Sequence, residues 1–418
     1  PGVKFQDGTP LDANAVKFSF DRLMKIGQGP SDAFPTLQAV EVVDPLTVRF
    51  VLSEPFAPFL STLAINGASI VNPKVMEHEK DGDMGQNYLA DHTLGSGPYK
   101  LVEWVKDQYI KLEANPDWWG GQPKFKTVII KIVKEPAAQR LQLEKGDIDI
   151  AEGITIDQIA ELRQNPDIAI VESPGLMADY MYINTQHPAL QDKRVRQAIS
   201  YAIDYQGIID SVQQGYATQM RGPVPKGLWG HDETVPQYTY DPEKARSLLE
   251  EAGVKDLQLE LIYADRMPWW EQEAQIIQAN LAEIGIQVQL TKLSWPTLRE
   301  RVDRGEFDLC LGIWSPDYAD PYMFMNYWFD SDNWGLAGNR AFYKNGQVDQ
   351  LLRKAARLTH RNQRQEIYSQ VQRIVMEDAP YVLLYQKNFV LPMRKVVKGF
   401  VYNPMLEGIY NLESMYKE

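Results

Sequence analysis

The sequence predicts an α/β fold whose second half is built on a mostly parallel sheet. Between residues 257 and 313 strand-like and helix-like runs alternate: 257–263, 271–284, 286–293, 297–304 and 307–313. Alternation of this kind gives parallel strands joined by right-handed helical crossovers. The local periods agree. Ile286, Val288 and Leu290 alternate with Gln287, Gln289 and Thr291, the two-residue period of a half-buried strand. Gly285 stops the helix before it.

The remaining elements follow in chain order. Asp12 is a suitable N-cap for a helix carrying Val16, Phe20, Leu23 and Met24 on one face. Residues 40–43 and 47–52, joined by Asp44-Pro45-Leu46, read as a hairpin. Gly95-Ser96-Gly97-Pro98 is a break. Strands are expected at 99–105, 109–113 and 126–133, a helix at 136–145 closed by Gly146, and a short strand at 147–151. A strand at 180–184 leads to Gln191-Asp192, which opens a helix with Val195, Ala198, Ile199, Ala202 and Ile203 inward. Residues 215–236 are rich in Gly and Pro and read as a long loop. Asp241-Pro242-Glu243 starts a helix with Ala245, Leu248, Leu249 and Ala252 inward, stopped by Gly253. A late helix, 362–378, carries Ile367, Val371, Ile374 and Val375, and a strand follows at 381–391.

Composition narrows the function. The 418 residues suffice for two or three domains at roughly 100–200 residues each. At 44% hydrophobic the chain can bury a large core. The mean hydropathy is −0.37, and no apolar run approaches the ~18 residues that a membrane span needs. A net charge of −13 disfavours nucleic acid and anionic membrane surfaces as partners. The single cysteine, Cys310, lies in an apolar strand and reads as a buried small hydrophobe; the five histidines lack metal-ligand spacing. No cofactor is expected. Nothing matches G-x-S-x-G, HExxH, CxxC or a phosphate-cradling loop, so binding is expected rather than catalysis. Pro1-Gly2-Val3-Lys4-Phe5 lacks the basic and apolar regions of a signal peptide.

The stretch with most chemistry runs from Cys310 to Pro321, where a buried-type strand enters an aromatic and acidic turn. A ligand in an α/β protein sits outside the carboxyl end of a strand. Trp314 and Tyr318 are candidate pocket walls, and Asp317 stands in the acidic turn beside them. Pro316 has no N–H, so strand pairing stops there. Asp317 and Asp320, three residues apart, also suggest the carboxylates of a carbohydrate hydrolase, a rival reading.

Several spaced segments carry a family resemblance: Gly2-Val3-Lys4-Phe5-Gln6-Asp7-Gly8-Thr9-Pro10, Gly95-Ser96-Gly97-Pro98-Tyr99, Asn115-Pro116-Asp117-Trp118-Trp119-Gly120-Gly121, Gly146-Asp147-Ile148-Asp149, and Arg194-Val195-Arg196-Gln197-Ala198-Ile199. Over its whole length the chain resembles the family 5 extracellular solute-binding proteins of ABC importers. That resemblance implies a two-lobed periplasmic-binding-protein-like fold of the three-domain peptide-binding type, with mixed sheets and a hinge. It implies residues 1–94 as the remainder of a small extra domain, 95–183 with 393–418 as a first lobe, and 184–392 as a second. Family members extend further before the first segment, so an N-terminally truncated chain is expected.

The resemblance further implies capture of a peptide or small zwitterion by lobe closure, delivery to the membrane subunits of an ABC permease, a monomer, and a periplasmic or lipoprotein setting. Other solutes of the family (nickel chelates, haem, opines, oligosaccharides) are the alternatives. It places backbone pairing with the ligand near Ile313, Trp314 and Ser315, the ligand ammonium on Asp317, and the ligand carboxylate on Arg266, which follows strand 257–263. Tyr385, on the late strand, is expected to face the cleft.

Overall fold

The first element of the computed structural model, which describes all residues except Glu407 and Ile409, is the helix Ala13–Ile26. The Asp12 side chain accepts from the backbone N–H groups of Asn14 and Ala15, two of the donors a helix start leaves free. Phe20 on this helix meets Phe34 and Phe50 edge-on at 5.3 and 4.9 Å, and Phe59 closes the group. Such pairs add about 0.5–1.5 kcal/mol each beyond burial. Met24, expected on the inner face, lies one turn past this cluster and is 37% exposed. Strands β1 (Leu37–Asp44) and β2 (Thr47–Leu52) form the hairpin, and the Asp44 carboxylate accepts from Leu46 N–H at its turn. Strands β3 (Tyr99–Val105), β4 (Tyr109–Ala114) and β5 (Thr127–Lys131) form an antiparallel three-stranded sheet.

The chain divides into two units. One holds Pro1–Val171 with Leu391–Glu418, and the other Glu172–Val390. The second unit is built on a six-stranded sheet of β6 (Ile168–Ile183), β7 (Ala217–Gln219), β8 (Gln258–Ala264), β9 (Gln287–Leu293), β10 (Leu309–Trp314) and β11 (Tyr381–Arg394), in the order β7-β11-β6-β10-β8-β9. The expectation of a mostly parallel sheet is corrected here. Only β8–β9 and β8–β10 are parallel, while β10–β6 and β11–β7 run antiparallel. The alternating strand–helix run accounts for β8, β9 and β10 alone. The long strands β6 and β11, along which the chain passes between the units, join that core without helical crossovers.

Residues 172–183 belong to the second unit because β6 is laddered to β10 from Ile183 to Ala178. The strand expected at 147–151 is reduced to one bridge, Ile150 to Met393, beside backbone bonds from Ala151 to Pro392 and from Arg394 to Asp149. In the first unit β12 (Val397–Lys398) then pairs with β13 (Tyr416–Lys417). None of the described helices is long and apolar enough to cross a membrane.

The core of the second unit follows the sequence pattern closely. Val195, Ala198, Ile199, Ala202 and Ile203 are 0% exposed, as are Val371 and Tyr368 on the late helix Arg361–Asp378. Burying each of the Val and Ile side chains among them contributes about 1.5–3 kcal/mol.

Candidate functional site

Strand β8 leads to β9 on one side, and the chain then crosses β8 to enter β10 on the other. The carboxyl ends of β8 and β10 therefore flank a point where the strand order reverses, the place where open α/β sheets take ligands. The ladder itself opens there. β10 is paired with β6 from Leu309 to Trp314, but with β8 only at Leu309 and Cys310. Meanwhile β8 continues to Ala264 on β9. From Leu311 onward the β8 side of β10 carries no ladder among the described residues. A notch opens beside it, lined by Gly312, Ile313, Trp270, Trp295 and Arg340. Its ≈ 20 Å³ admits about one water, so it receives a single group rather than a whole ligand.

Gly312 allows this strand to lie flat on its neighbour. A Cβ there would come within 2.5 Å of the Tyr180 ring and 2.6 Å of the Tyr182 ring. Cys310, behind it, is buried, its Sγ 3.0 Å from the Tyr182 hydroxyl, and burial pushes its thiol up to about 12. It is a packed side chain and no nucleophile.

Past β10 the expected site residues separate into two groups. Ile313, Trp314 and Ser315 are half-buried at the strand end. The Trp314 ring lies 5.1 Å from the Arg340 guanidinium carbon, and its buried Nε1 has no hydrogen-bond partner. Asp317 is exposed and has no hydrogen bond or ion pair among the described residues. Surrounding protein removes part of its hydration, which raises its carboxyl above the usual range, with no cation to oppose the shift. Tyr318, by contrast, is only 3% exposed, and burial raises its phenol. It packs inward and forms the floor of the turn.

Arg266, just past β8, is exposed and lies over the Trp295 ring at 4.6 Å; it makes no ion pair among the described residues, with Asp265 or any other acid. Trp295 starts the helix Trp295–Asp303 and lines the notch, so a ring joins Arg266 to the β10 edge.

Tyr385 departs from expectation. It is 0% exposed, and its hydroxyl accepts from Gln213 Nε2 at 2.9 Å beside the buried Glu273. β11 is flanked by β7 and β6, and the helices Tyr205–Val212 and Trp270–Glu283, which supply its partners, cover the face that Tyr385 occupies. It lies in the core of the second unit.

Sequence reasoning missed the device that holds the β8 loop. The buried Asp179 Oδ1 accepts from both Trp269 Nε1 and Trp270 Nε1, at 3.1 and 3.0 Å. Asp179 sits directly across the ladder from Ile313. The loop carrying Arg266 is thus pinned to the strand that supports β10. The fully buried Glu273 lies in the same cluster. Burial raises both carboxyls, and Asp179 raises Glu273 further. The doublet Trp269-Trp270 was the available signal; its acceptor, about ninety residues earlier, was not visible.

The comparisons with known proteins identify the family. Residues 1–335 match the profile of the bacterial extracellular solute-binding proteins, family 5 Middle. The chain belongs to this family. It is 49% identical over 415 residues to the probable D,D-dipeptide-binding periplasmic protein of Escherichia coli (strain K12), covering 99% of this chain and 80% of that one. The dipeptide-binding protein of the same organism is 30% identical over 438 residues, covering 99% and 81%. Among solved structures, the ABC transporter-associated periplasmic binding protein from Helicobacter pylori in complex with the peptide STSA superposes with a TM-score of 0.83 at 29% identity, covering 100% of this chain and 85% of that one. The chain is a solute-binding protein with the mixed α/β fold of that group.

Proposed function

We propose that this chain captures short peptides, with a D,D-dipeptide as the first candidate, and delivers them in the periplasm to the membrane subunits of an ABC permease. The observation that carries this reading is the pair of unpartnered opposite charges at one switch point. Asp317 follows β10 and Arg266 follows β8, and neither has an ion-pair partner within the described residues. A zwitterion supplies what both lack: an ammonium for the carboxylate and a carboxylate for the guanidinium fork. The open edge of β10 at Ile313, Trp314 and Ser315 offers backbone groups for strand addition, which binds the peptide main chain without selecting side chains. The 49% identity to a protein named for D,D-dipeptides supports the ligand class.

The hydrolase reading is not favoured. Both Asp320 oxygens are held by Arg364, and the carboxylate is 2% exposed, so it cannot serve with Asp317 as a reacting pair. The test is native mass spectrometry of the purified chain, followed by thermal shift with L,L- and D,D-dipeptides. A co-purifying peptide mass, or a melting temperature that rises with dipeptide concentration, supports the reading. A non-peptide solute in the folded protein, together with no shift from any dipeptide, overturns it.

A further inference from the structure

Arg340 is a cation without an anion. Its Nε is buried and has no hydrogen-bond partner, and it makes no ion pair among the described residues. The groups packed around it are the hydroxyls of Tyr180, Tyr182 and Tyr381 and the Cys310 thiol; no carboxylate is among them. The other buried arginines of this unit are fully committed. Arg364 is paired two-pronged with Asp320, and Arg196 donates to the carbonyls of Asp378, Leu190 and Gln191. A half-buried guanidinium left unpaired carries a desolvation cost that an incoming anion relieves.

Its position is fixed and faces the site. Arg340 lines the notch together with Gly312, Ile313 and Trp295. Its guanidinium lies over the Trp314 ring at 5.1 Å and also bonds the Tyr180 hydroxyl, a neutral acceptor that leaves the charge uncompensated, while its Nε has no partner. The turn before it is rigid. Gly338 sits at φ +151, where a Cβ would meet the Tyr327 carbonyl oxygen at 2.4 Å, and the buried Asn339 side chain is bonded to Asp330 and Tyr343. At the β8–β10 switch point Arg266, Arg299 and Arg340 make no ion pair among the described residues, against two carboxylates that make none, Asp265 and Asp317, which leaves an excess of one cation.

We propose that Arg340 receives a second ligand carboxylate, beyond the two end groups taken by Asp317 and Arg266, so that the preferred ligand is an acidic peptide. The proposal rests on the peptide-binding reading and adds a specificity-determining residue to it.

Calorimetry on the full chain with Ala-Glu, Ala-Gln and Ala-Ala, each in L,L and D,D form, tests it. Ala-Glu and Ala-Gln match in shape and differ in charge. The wild type should bind Ala-Glu at least about 10-fold more tightly than Ala-Gln, the effect of one charge-assisted bond. Arg340→Gln should bring that ratio to about 1 while Ala-Gln stays within about 3-fold of wild type. Arg340→Lys, which keeps the charge and loses the fork, should retain part of the preference, and thermal melts of both variants should show a folded protein. A wild type indifferent to the charge, or a ratio that survives Arg340→Gln, overturns the proposal. Equal loss of Ala-Gln and Ala-Glu in Arg340→Gln assigns the side chain to packing and also overturns it. Tight binding of Ala-Ala with no charge preference sinks this proposal alone; no binding of any peptide sinks the peptide reading with it.

Discussion

Asp320 and Arg364 are joined by a buried, two-pronged ion pair, Nη1 to Oδ2 at 2.7 Å and Nη2 to Oδ1 at 2.6 Å. Asp317, three residues earlier in the same turn, has no such partner. One turn thus holds a structural carboxylate and an available one. Asp320→Asn should cost about 3–5 kcal/mol, because it leaves the Arg364 charge buried and uncompensated. Asp317→Asn should change stability by no more than about 0.5 kcal/mol, as a surface substitution does. Urea denaturation of both variants separates them; similar losses would contradict this assignment of roles.

Gly312→Ala tests how the β10 edge is positioned. The new methyl would meet the buried rings of Tyr180 and Tyr182, which cannot swing aside. A destabilisation of about 1–3 kcal/mol is expected from overpacking, with weaker ligand binding as the strand end shifts. A variant with unchanged melting temperature and affinity would show that this contact positions nothing.

The buried acids Asp179 and Glu273 give a pH dependence whose sign can be worked out. Burial and the Asp179 charge raise the Glu273 carboxyl well above its ordinary 4.5, with Lys387 and the Tyr385 hydroxyl acting weakly the other way. A carboxyl that is raised in the folded state holds its proton there longer than in the unfolded chain. Its cost is absent at low pH and grows as pH rises above 4.5 towards its folded value. Glu273→Gln mimics the protonated form at every pH. The variant should be more stable than wild type by about 1–2 kcal/mol at pH 8, and the gap should close towards pH 4.5. Melting curves across that range decide; a variant less stable at pH 8 would contradict the reading.

Much of this was legible before any coordinates. The helices Pro136–Lys145 and Pro242–Ala252 were marked by a proline at the start and a glycine at the end, both local signals. The apolar runs placed Asp317 and Arg266 past strand ends, while their expected ligand roles came from the family resemblance. The helix Tyr322–Phe329 escaped because it is buried nearly all round, with Met323, Phe324, Met325, Trp328 and Phe329 inside, so it has no polar face to set a period. Arg340, Asp179 and Glu273 escaped for another reason. Their meaning depends on what surrounds them, and those neighbours are distant in sequence: Asp179 lies 90 residues from Trp269 and 91 from Trp270. Tyr385 was misjudged because a tyrosine on a strand reads the same whether it meets solvent or, as here, a covering helix.

Arg266 should act on the ligand carboxylate through its fork. Arg266→Lys keeps the charge but loses bidentate geometry and the close stacking on Trp295, and should weaken dipeptide binding by about 1–3 kcal/mol. A dipeptide amide, which lacks the carboxylate, should bind wild type and variant alike. If the amide binds the wild type as tightly as the free acid does, Arg266 is a surface arginine and the ligand's carboxyl end lies elsewhere.

The central claim is that Asp317 takes the ligand ammonium. Calorimetry with a dipeptide and its N-acetyl form, on wild type and Asp317→Asn, tests it most directly, since acetylation removes the ligand charge and the substitution removes the protein charge. The free dipeptide should lose about 2–5 kcal/mol on Asp317→Asn, because its ammonium then meets no anion. The acetylated form should bind the wild type weakly and be indifferent to the substitution. Equal binding of the free dipeptide to both proteins would contradict the claim.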